Sequence, residues 1–430
     1  MVIPREFRCG SWAVIILAGI SLSGCGGDSE RDIDSDPESV TESVTKSVTK
    51  SVTKSVTQVP VVADTAFALN FFSEVSKGEG NVVCSPFSIS TALMMASAGA
   101  HGETASEIEK VLGIQSLSEQ AHQIMSDTIA ALRSDEGQGS DSLVIANRLW
   151  GQKGYPFLPD YIKAIEVHYQ GGFGLVDYEN DSAGSAEVIN QWVKDQTRGN
   201  ISEIVSGAGL KGARLVLTNA IFFKGMWQKR FPAENTQPGS FYLDSGEQIS
   251  VPMMRLEEEF KIGAGEACRL IEIPYLGGSR SMVVVLPDAK DGARELSTTL
   301  TLDRIAEWTR GMVNRDVVLR FPRFEVQWQG ELGQHLQAMG IATAFGGKAD
   351  FSGMTRVGGL SMGPVIHRCF VSVNEEGTVA SAATAIEMTE GASQPVEFIV
   401  DHPFLFLIRD NVTGAILFIG RVVNPMPPQL

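Results

Sequence analysis

The chain of 430 residues contains few cysteines and few basic residues. Its five cysteines are scattered and form no CxxC pair, which excludes a disulfide framework and a thiolate zinc site. Lysine and arginine number 35 against 51 aspartates and glutamates, so the net charge is −16 at pH 7. Because nucleic-acid binding requires a basic surface that displaces counterions, we expect no nucleic-acid partner. No HExxH, P-loop or cysteine–histidine metal spacing occurs either, and we predict no metal and no cofactor.

The composition is that of a folded protein. Charged residues make up 20% of the sequence and hydrophobic residues 43%, so disorder is excluded for most of the chain. At this length a large apolar core forms without disulfide or metal support. We expect three of the cysteines, Cys84, Cys268 and Cys369, to be buried thiols within that core.

The N-terminus has the pattern of an export signal. Two arginines within the first eight residues precede an apolar run from Trp12 to Leu22, which is too short to span a membrane as a helix. The run ends in Leu-Ser-Gly-Cys and resembles a bacterial lipobox. The resemblance implies a lipoprotein signal peptide over residues 1–24, cleavage before Cys25 and a lipid on the Cys25 thiol. We therefore expect an exported protein that is anchored to a bacterial membrane or cell surface, or is extracellular; the alternative is an ordinary signal peptide with a chance cysteine.

Residues 25–60 form a low-complexity segment. Ser-Val-Thr-Lys repeats extend from Ser39 to Gln58. One small apolar residue per repeat cannot build a core, so the segment is interpreted as a tether. From residue 61 to residue 430 the composition indicates one continuous domain.

The order of predicted elements within 61–430 indicates an α+β fold. Helical spacing predicts helices at 64–77, 86–100, 104–113, 118–133, 158–168 and 184–197. Apolar and β-branched runs predict strands at 143–150, 214–223, 281–286, 316–328, 397–400, 404–409 and 415–423. Thr104 and Glu107 have the spacing of a capping box at the start of the third helix, and Gly113 ends it. Helices come first and strands dominate later, which favours largely antiparallel sheets.

Two short motifs resemble enzyme signatures but lack their context. The GxGxxG match at 207–212 precedes a predicted strand instead of opening a helix, and is interpreted as a turn. The GxSxG match around Ser361 has a turn-like segment before it and Gly363-Pro364 after it, where a nucleophile elbow requires a strand and a helix. The downstream pair Asp401 and His402 is adjacent in sequence, which suits a triad poorly. A serine hydrolase that uses Ser361 is retained as an alternative.

The segment 374–395 can be either an exposed loop or a buried strand. Even positions from 378 to 388 carry no charged residue, whereas the odd positions include Glu387. Strand periodicity therefore allows the even face to be buried without burying a charge. The small residues, together with glycine and proline at the far end, are nevertheless typical of a loop. The alternative interpretation is an Ala/Thr-rich linker between two strands.

This segment resembles the hinge and reactive-centre loop of serpins, and the resemblance extends over 61–430. Further serpin-like signatures lie at Asn81–Ser90, Leu217–Trp227, Asp401–Phe406 and Phe418–Pro425. The resemblance implies a serpin fold, with helices, three mainly antiparallel β-sheets and an exposed reactive-centre loop. It also implies a protease inhibitor and not an enzyme. A serine protease, or a cysteine protease, attacks the loop and is trapped in a covalent 1:1 complex when the loop inserts into the central sheet. We expect a monomer; the alternative is a non-inhibitory serpin that acts as a binding protein.

The resemblance also assigns roles to individual residues. The hinge is assigned to Glu375, Glu376 and Gly377, and the inserting face to Thr378, Ala380, Ala382 and Thr384. The hydrogen-bonded cluster beneath the sheet, which we call the shutter, is assigned to Ser85, Ser88, Asn219 and His367. Trp227 is expected where the loop enters the sheet.

The scissile bond is placed within one or two residues. Counting forward from Glu375 as in the family gives Gly391–Ala392, and counting back from Pro403 gives Ala392–Ser393. None of these residues is basic, so trypsin-like proteases are disfavoured because their specificity pocket requires a cation. Small residues favour elastase-like or subtilisin-like proteases, and Glu390 would instead suit a glutamate-specific protease.

Overall fold

Ten α-helices and fourteen β-strands lie in the part of the chain that the computed structural model describes, residues 65–117, 120–134, 142–169, 172–377 and 394–426. These residues all belong to one unit, Thr53–Leu430. The expected signal peptide, Cys25 and the tether fall outside the described residues, as does the loop segment 378–393.

The first six helices follow the predicted order, and the four after them were not predicted. The helices are α1 (65–75), α2 (Pro86–Ser97), α3 (Gly102–Leu112), α4 (Gln120–Ser134), α5 (Pro159–Tyr169), α6 (Ser182–Gln196), α7 (Gly207–Leu210), α8 (Ala293–Thr299), α9 (Leu302–Arg310) and α10 (Gly333–Met339). Gly113 ends α3 in the left-handed conformation, as predicted. The predicted capping box is wrong, because α3 begins at Gly102. Its Glu107 carboxylate instead accepts hydrogen bonds from the backbone N–H and the hydroxyl of Thr343, at 2.8 Å each.

The strands form two hydrogen-bonded sheets. They are β1 (Val82–Cys84), β2 (Ser142–Gln152), β3 (Phe173–Val176), β4 (Leu215–Lys224), β5 (Gln237–Tyr242), β6 (Gln248–Ala264), β7 (Cys268–Pro274), β8 (Arg280–Pro287), β9 (Val313–Pro322), β10 (Phe324–Glu331), β11 (Val365–Val373), β12 (Val396–Ile399), β13 (Phe404–Asp410) and β14 (Ile416–Val422). The smaller sheet has the order β10-β11-β4-β2-β3. The larger has the order β1-β14-β13-β8-β7-β6-β9-β12, with β5 also on β6.

The α+β class is confirmed, with mainly antiparallel pairing. Parallel pairs join β11 to β4, β12 to β9 and β2 to β3. The three sheets implied by the resemblance correspond here to two hydrogen-bonded networks. The reason is β6, whose 17 residues pair with β5 near the beginning and with β7 at the end, so that one strand belongs to two groups of strands.

The predicted single strand 316–328 is wrong. The chain breaks at Arg323 into β9, which pairs with β6 in the larger sheet, and β10, which pairs with β11 in the smaller sheet. The alternating apolar residues stand at odd positions up to Phe321 and at even positions from Phe324 onwards, and this change of phase at Arg323 was the available signal for the break.

The main core lies around α2, between the two sheets. Every residue of α2 is buried, and the helix contacts β2, β4 and β14. Polar side chains of α2 donate hydrogen bonds to backbone carbonyls one turn earlier in the same helix. Ser90 and Thr91 both donate to the Phe87 carbonyl, at 3.0 and 2.8 Å. Cys84, Cys268 and Cys369 are buried free thiols, as predicted. Among the described helices, none has the length and apolarity needed to cross a membrane.

Candidate functional site: shutter, hinge and the gap between two strands

The shutter residues meet where α2 begins beneath the smaller sheet. Ser85 caps the helix and accepts a hydrogen bond from the Ser88 N–H at 3.3 Å. Asn219, on β4, donates from Nδ2 to the Ser88 hydroxyl at 2.8 Å. The Ser85 N–H donates in turn to His367 Nε2, on β11, at 3.2 Å. The four residues that the resemblance assigned to the shutter are therefore brought together, all of them buried.

His367 is a neutral imidazole within this cluster. Burial lowers its pKa to about 3, although the hydrogen bond with Asn219 acts in the opposite direction. Because Nε2 accepts from Ser85, the proton lies on Nδ1, which donates to Asn219 Oδ1. The ring therefore connects α2 to both β4 and β11, the two strands between which a further strand would have to fit.

Asn147 is a shutter residue that the sequence analysis missed. Its Oδ1 accepts from the Ser88 hydroxyl at 2.9 Å and from Asn219 Nδ2 at 2.8 Å, and its Nδ2 donates to the Ser88 carbonyl at 3.0 Å. The register places Asn147, Asn219 and His367 in one row across β2, β4 and β11. A lone asparagine inside an apolar strand was the available signal, because a buried amide requires partners.

Trp227, which follows β4 in sequence, contacts the segment where the chain leaves β11. Its backbone N–H donates to the Glu376 carbonyl at 2.9 Å, and its indole N–H donates to the Asn374 carbonyl at 3.0 Å. Its ring is 1% exposed and stacks on Tyr275 with centroids 4.6 Å apart. Trp227 therefore holds the backbone of the predicted hinge through two hydrogen bonds.

Glu375 fixes the hinge through its side chain. The carboxylate is 7% exposed, and accepts hydrogen bonds from the Thr236 hydroxyl at 2.7 Å and from the Arg323 guanidinium. Burial alone would raise the pKa of this carboxyl, but the bonds from Arg323 and Thr236 outweigh it and hold the pKa below its usual value. Glu376 contributes mainly its backbone, and one of its buried carboxylate oxygens has no hydrogen-bond partner among the described residues.

Glycine is required at position 377 both by the backbone conformation and by the lack of space for a side chain. Its φ is +132°, and a Cβ at this position would lie 2.2 Å from the Gly225 carbonyl oxygen and 2.6 Å from Met226 Cα. Its backbone bridges to Met226 and to Asn374. The chain therefore makes a tight turn at the assigned pivot, directly against the end of β4.

The two central strands are paired over only part of their length. Leu217–Phe222 of β4 pairs with Val365–Phe370 of β11. Beyond this point β11 continues to Val373, where it pairs only with β10, and β4 continues to Lys224, where it pairs only with β2. A gap between β4 and β11 therefore begins at the hinge.

The predicted inserting residues and reactive bond lie outside the described residues. They are Thr378, Ala380, Ala382, Thr384, Glu390, Gly391, Ala392 and Ser393.

The enzyme-like motifs are in the wrong structural setting. Ser361 lies in a loop with no strand before it, and β11 follows. The ring of His402 bonds Asp401 at 2.7 Å and the Pro287 carbonyl at 2.6 Å, so both ring nitrogens are engaged. The 207–212 motif forms the single turn of α7. Within the described ranges, no group of three or more His, Cys, Asp or Glu side chains could hold a metal ion.

Comparison with known proteins agrees with this geometry. The family model "Serpin (serine protease inhibitor)" matches residues 62–425. The chain is 39% identical over 373 residues to leukocyte elastase inhibitor of Xenopus tropicalis and 38% identical over 378 residues to that of Homo sapiens, covering 84% of this chain and 98% of each relative. Human thyroxine-binding globulin, solved in complex with thyroxine, matches with a TM-score of 0.78 at 28% identity, covering 86% of this chain and 99% of that one. The chain belongs to the serpin family.

Proposed function

We propose that the protein is a suicide inhibitor of serine proteases that is cleaved in its own loop. The proposal rests mainly on the gap between β4 and β11, which begins at the Gly377 turn. A segment that follows β11 and folds back is antiparallel to β11. Because β4 is parallel to β11, the same segment is antiparallel to β4 as well, so both edges of the gap would accept it with regular ladders.

The free energy that such an insertion releases is comparable to the stability of a protease domain. Each net hydrogen bond contributes about 0.5–1.5 kcal/mol, so a strand of the length of the loop's N-terminal arm contributes on the order of 10 kcal/mol. Burial of Thr378, Ala380, Ala382 and Thr384 adds to this value. A protease domain is stable by about 5–15 kcal/mol, so a pull of this size on the acyl-enzyme would distort its active site.

The proposed targets are proteases that cleave after small residues. Gly391 and Ala392 suit an elastase-like or subtilisin-like pocket, and relatives at 38–39% identity carry the name leukocyte elastase inhibitor. We extend the proposal to papain-like cysteine proteases, which also form an acyl-enzyme. We further propose a lipid anchor on Cys25 and export to a membrane or cell surface, on the sequence pattern alone.

A second candidate is a non-inhibitory serpin that binds a small molecule. It is favoured by the similarity to thyroxine-binding globulin, which was solved in complex with thyroxine. A hydrolase based on Ser361 is disfavoured by the loop in which that serine lies and by the engaged ring of His402.

The deciding experiment is incubation with elastase-like and subtilisin-like proteases, followed by denaturing gel electrophoresis. Inhibition gives a covalent band at the summed mass, whereas cleavage without that band supports the second candidate. Thr378→Arg should abolish the band because insertion would bury an unpaired cation. Val379→Arg is the matched control, since it places the same charge on the opposite strand face. A Thr378→Arg variant that still traps protease with unchanged stoichiometry would refute the insertion.

A further inference from the structure

Two histidines and a tyrosine meet where α4 packs against α5. The centroid of the His122 ring, on α4, lies 6.4 Å from that of His168 and 6.0 Å from that of Tyr169, both on α5. The His168 and Tyr169 centroids are 6.3 Å apart. Both histidines are only partly buried, so the pair is accessible from solvent.

The ring nitrogens of the two histidines are placed to coordinate a metal ion. His122 Nδ1 is hydrogen-bonded to the Tyr169 hydroxyl. His168 Nδ1 is buried and has no hydrogen-bond partner among the described residues, although a buried ring nitrogen ordinarily has one.

We propose that His122 and His168 bind a divalent transition-metal ion of the zinc class across α4 and α5. His122 ligates through Nε2, because its Nδ1 is engaged with Tyr169, and Tyr169 thereby orients the ring without touching the ion. Neutral imidazole suits Zn²⁺ and Cu²⁺, and disfavours the oxygen-preferring ions Mg²⁺ and Ca²⁺. Water completes the coordination, as at zinc sites with an open position.

The ring spacing is close to what two ligands of one ion require. With Zn–N bonds of about 2.0–2.1 Å, two imidazoles on a tetrahedral ion have centroids roughly 5 Å apart. The observed separation is 6.4 Å, so each ring has to move by less than about 1 Å, which side-chain rotation supplies.

The test is a calorimetric Zn²⁺ titration of the untagged protein, together with its thermal unfolding with and without Zn²⁺. We expect Zn²⁺ to bind once per chain and to raise the melting temperature. His122→Gln and His168→Gln should each weaken binding by about 10-fold or more, and Tyr169→Phe, which removes only the orienting hydroxyl, should weaken it less. His335→Gln, which removes a histidine on α10, is the matched control and should bind as the unaltered protein does.

A second measurement separates ligation from folding defects. Cu²⁺ bound to the unaltered protein should give an electron paramagnetic resonance spectrum with nitrogen couplings from two imidazoles, and the two histidine variants should each retain one. Absence of Zn²⁺ binding up to the millimolar range would overturn the proposal. So would equal affinity in the two histidine variants and the control.

Discussion

At the scale of single residues, Gly377 is held by two separable constraints: a positive φ and the close approach of the Gly225–Met226 backbone. Gly377→Ala should destabilise the protein through both. Gly278→Ala is the matched control, because Gly278 has a φ of +73° but no atom within 4 Å of a Cβ. We expect about 1 kcal/mol of destabilisation at Gly278 from conformation alone, and roughly 1–3 kcal/mol more at Gly377 from the clash, measured by denaturant unfolding. Equal losses would show that the backbone relaxes and that space does not constrain the pivot.

His367 makes the stability of the protein depend on pH. Its folded pKa of about 3 lies below the ordinary value of 6.5, so between these values the unfolded chain binds more protons. The contribution is fully present above pH 6.5 and is lost progressively as the pH falls towards 3, with an upper limit of about 5 kcal/mol. Carboxylates such as Glu375 act in the same direction, so the quantity to measure is the difference between the protein and its His367→Gln variant.

That difference should shrink as the pH falls from 7 to 4.5, when unfolding free energies of both proteins are measured by denaturant titration. For comparison, His335→Gln removes a partly exposed histidine that pairs with Glu74 at 3.4 Å, and it gives the change in pH dependence caused by a histidine outside the shutter. A His367→Gln variant with the same pH dependence as the unaltered protein would exclude His367 as its source.

At the scale of elements, α6 is attached unequally to the two halves of the smaller sheet. A small apolar core joins α6 and the following segment to β2, β3 and β4, through residues such as Trp150, Ile189 and Val216. Towards β11 and β10 the same segment is held by two polar side chains: Arg368 donates to the Glu203 carbonyl and Gln329 to the Ile204 carbonyl. Ile366 of β11 also packs at the edge of this core, so opening the gap between β4 and β11 breaks the two bonds and removes that one apolar contact, while the contacts of α6 with β2, β3 and β4 remain.

Arg368→Ala should for this reason accelerate loop insertion, because it removes one bond that closes the gap. The expected result is faster protease trapping with a stoichiometry closer to one, measured by stopped-flow inhibition and gel densitometry. Arg356→Ala removes an exposed arginine of the loop before β11 and is the control. Unchanged kinetics in Arg368→Ala would show that the segment does not limit insertion.

The sequence predicted helices α1 to α6 and eight of the fourteen strands in the described part of the chain, but it missed β1, β3, β5, β6, β7, β11 and the helices after α6. The start of α2 was predicted well because Pro86 is a local signal for a first helical turn, whereas the N-cap role of Ser85 was not predicted. The break at Arg323 was missed because the change of apolar phase there was overlooked, and because tertiary contacts such as the bond between Arg323 and Glu375 decide that the two strands join different sheets. Asn147 was missed for a similar reason, since only the register of three strands shows that it shares a row with Asn219 and His367.

At the scale of the whole molecule, the smaller sheet has five strands and a gap that a sixth would fill, so the proposed function requires the intact protein not to be in its most stable form. Cleavage within Glu390–Ser393 frees the arm that follows Gly377. If the arm inserts, the added ladders and the buried small side chains contribute on the order of 10 kcal/mol. We expect the melting temperature to rise by roughly 10–20 °C after limited cleavage at this site, as measured by calorimetry. The control is Thr378→Arg cleaved at the same bond, which should show little or no rise because the arginine would have to be buried without a partner. A cleaved unaltered protein that melts at the temperature of the intact one would contradict insertion, whereas a rise in both proteins would show that position 378 does not enter the sheet.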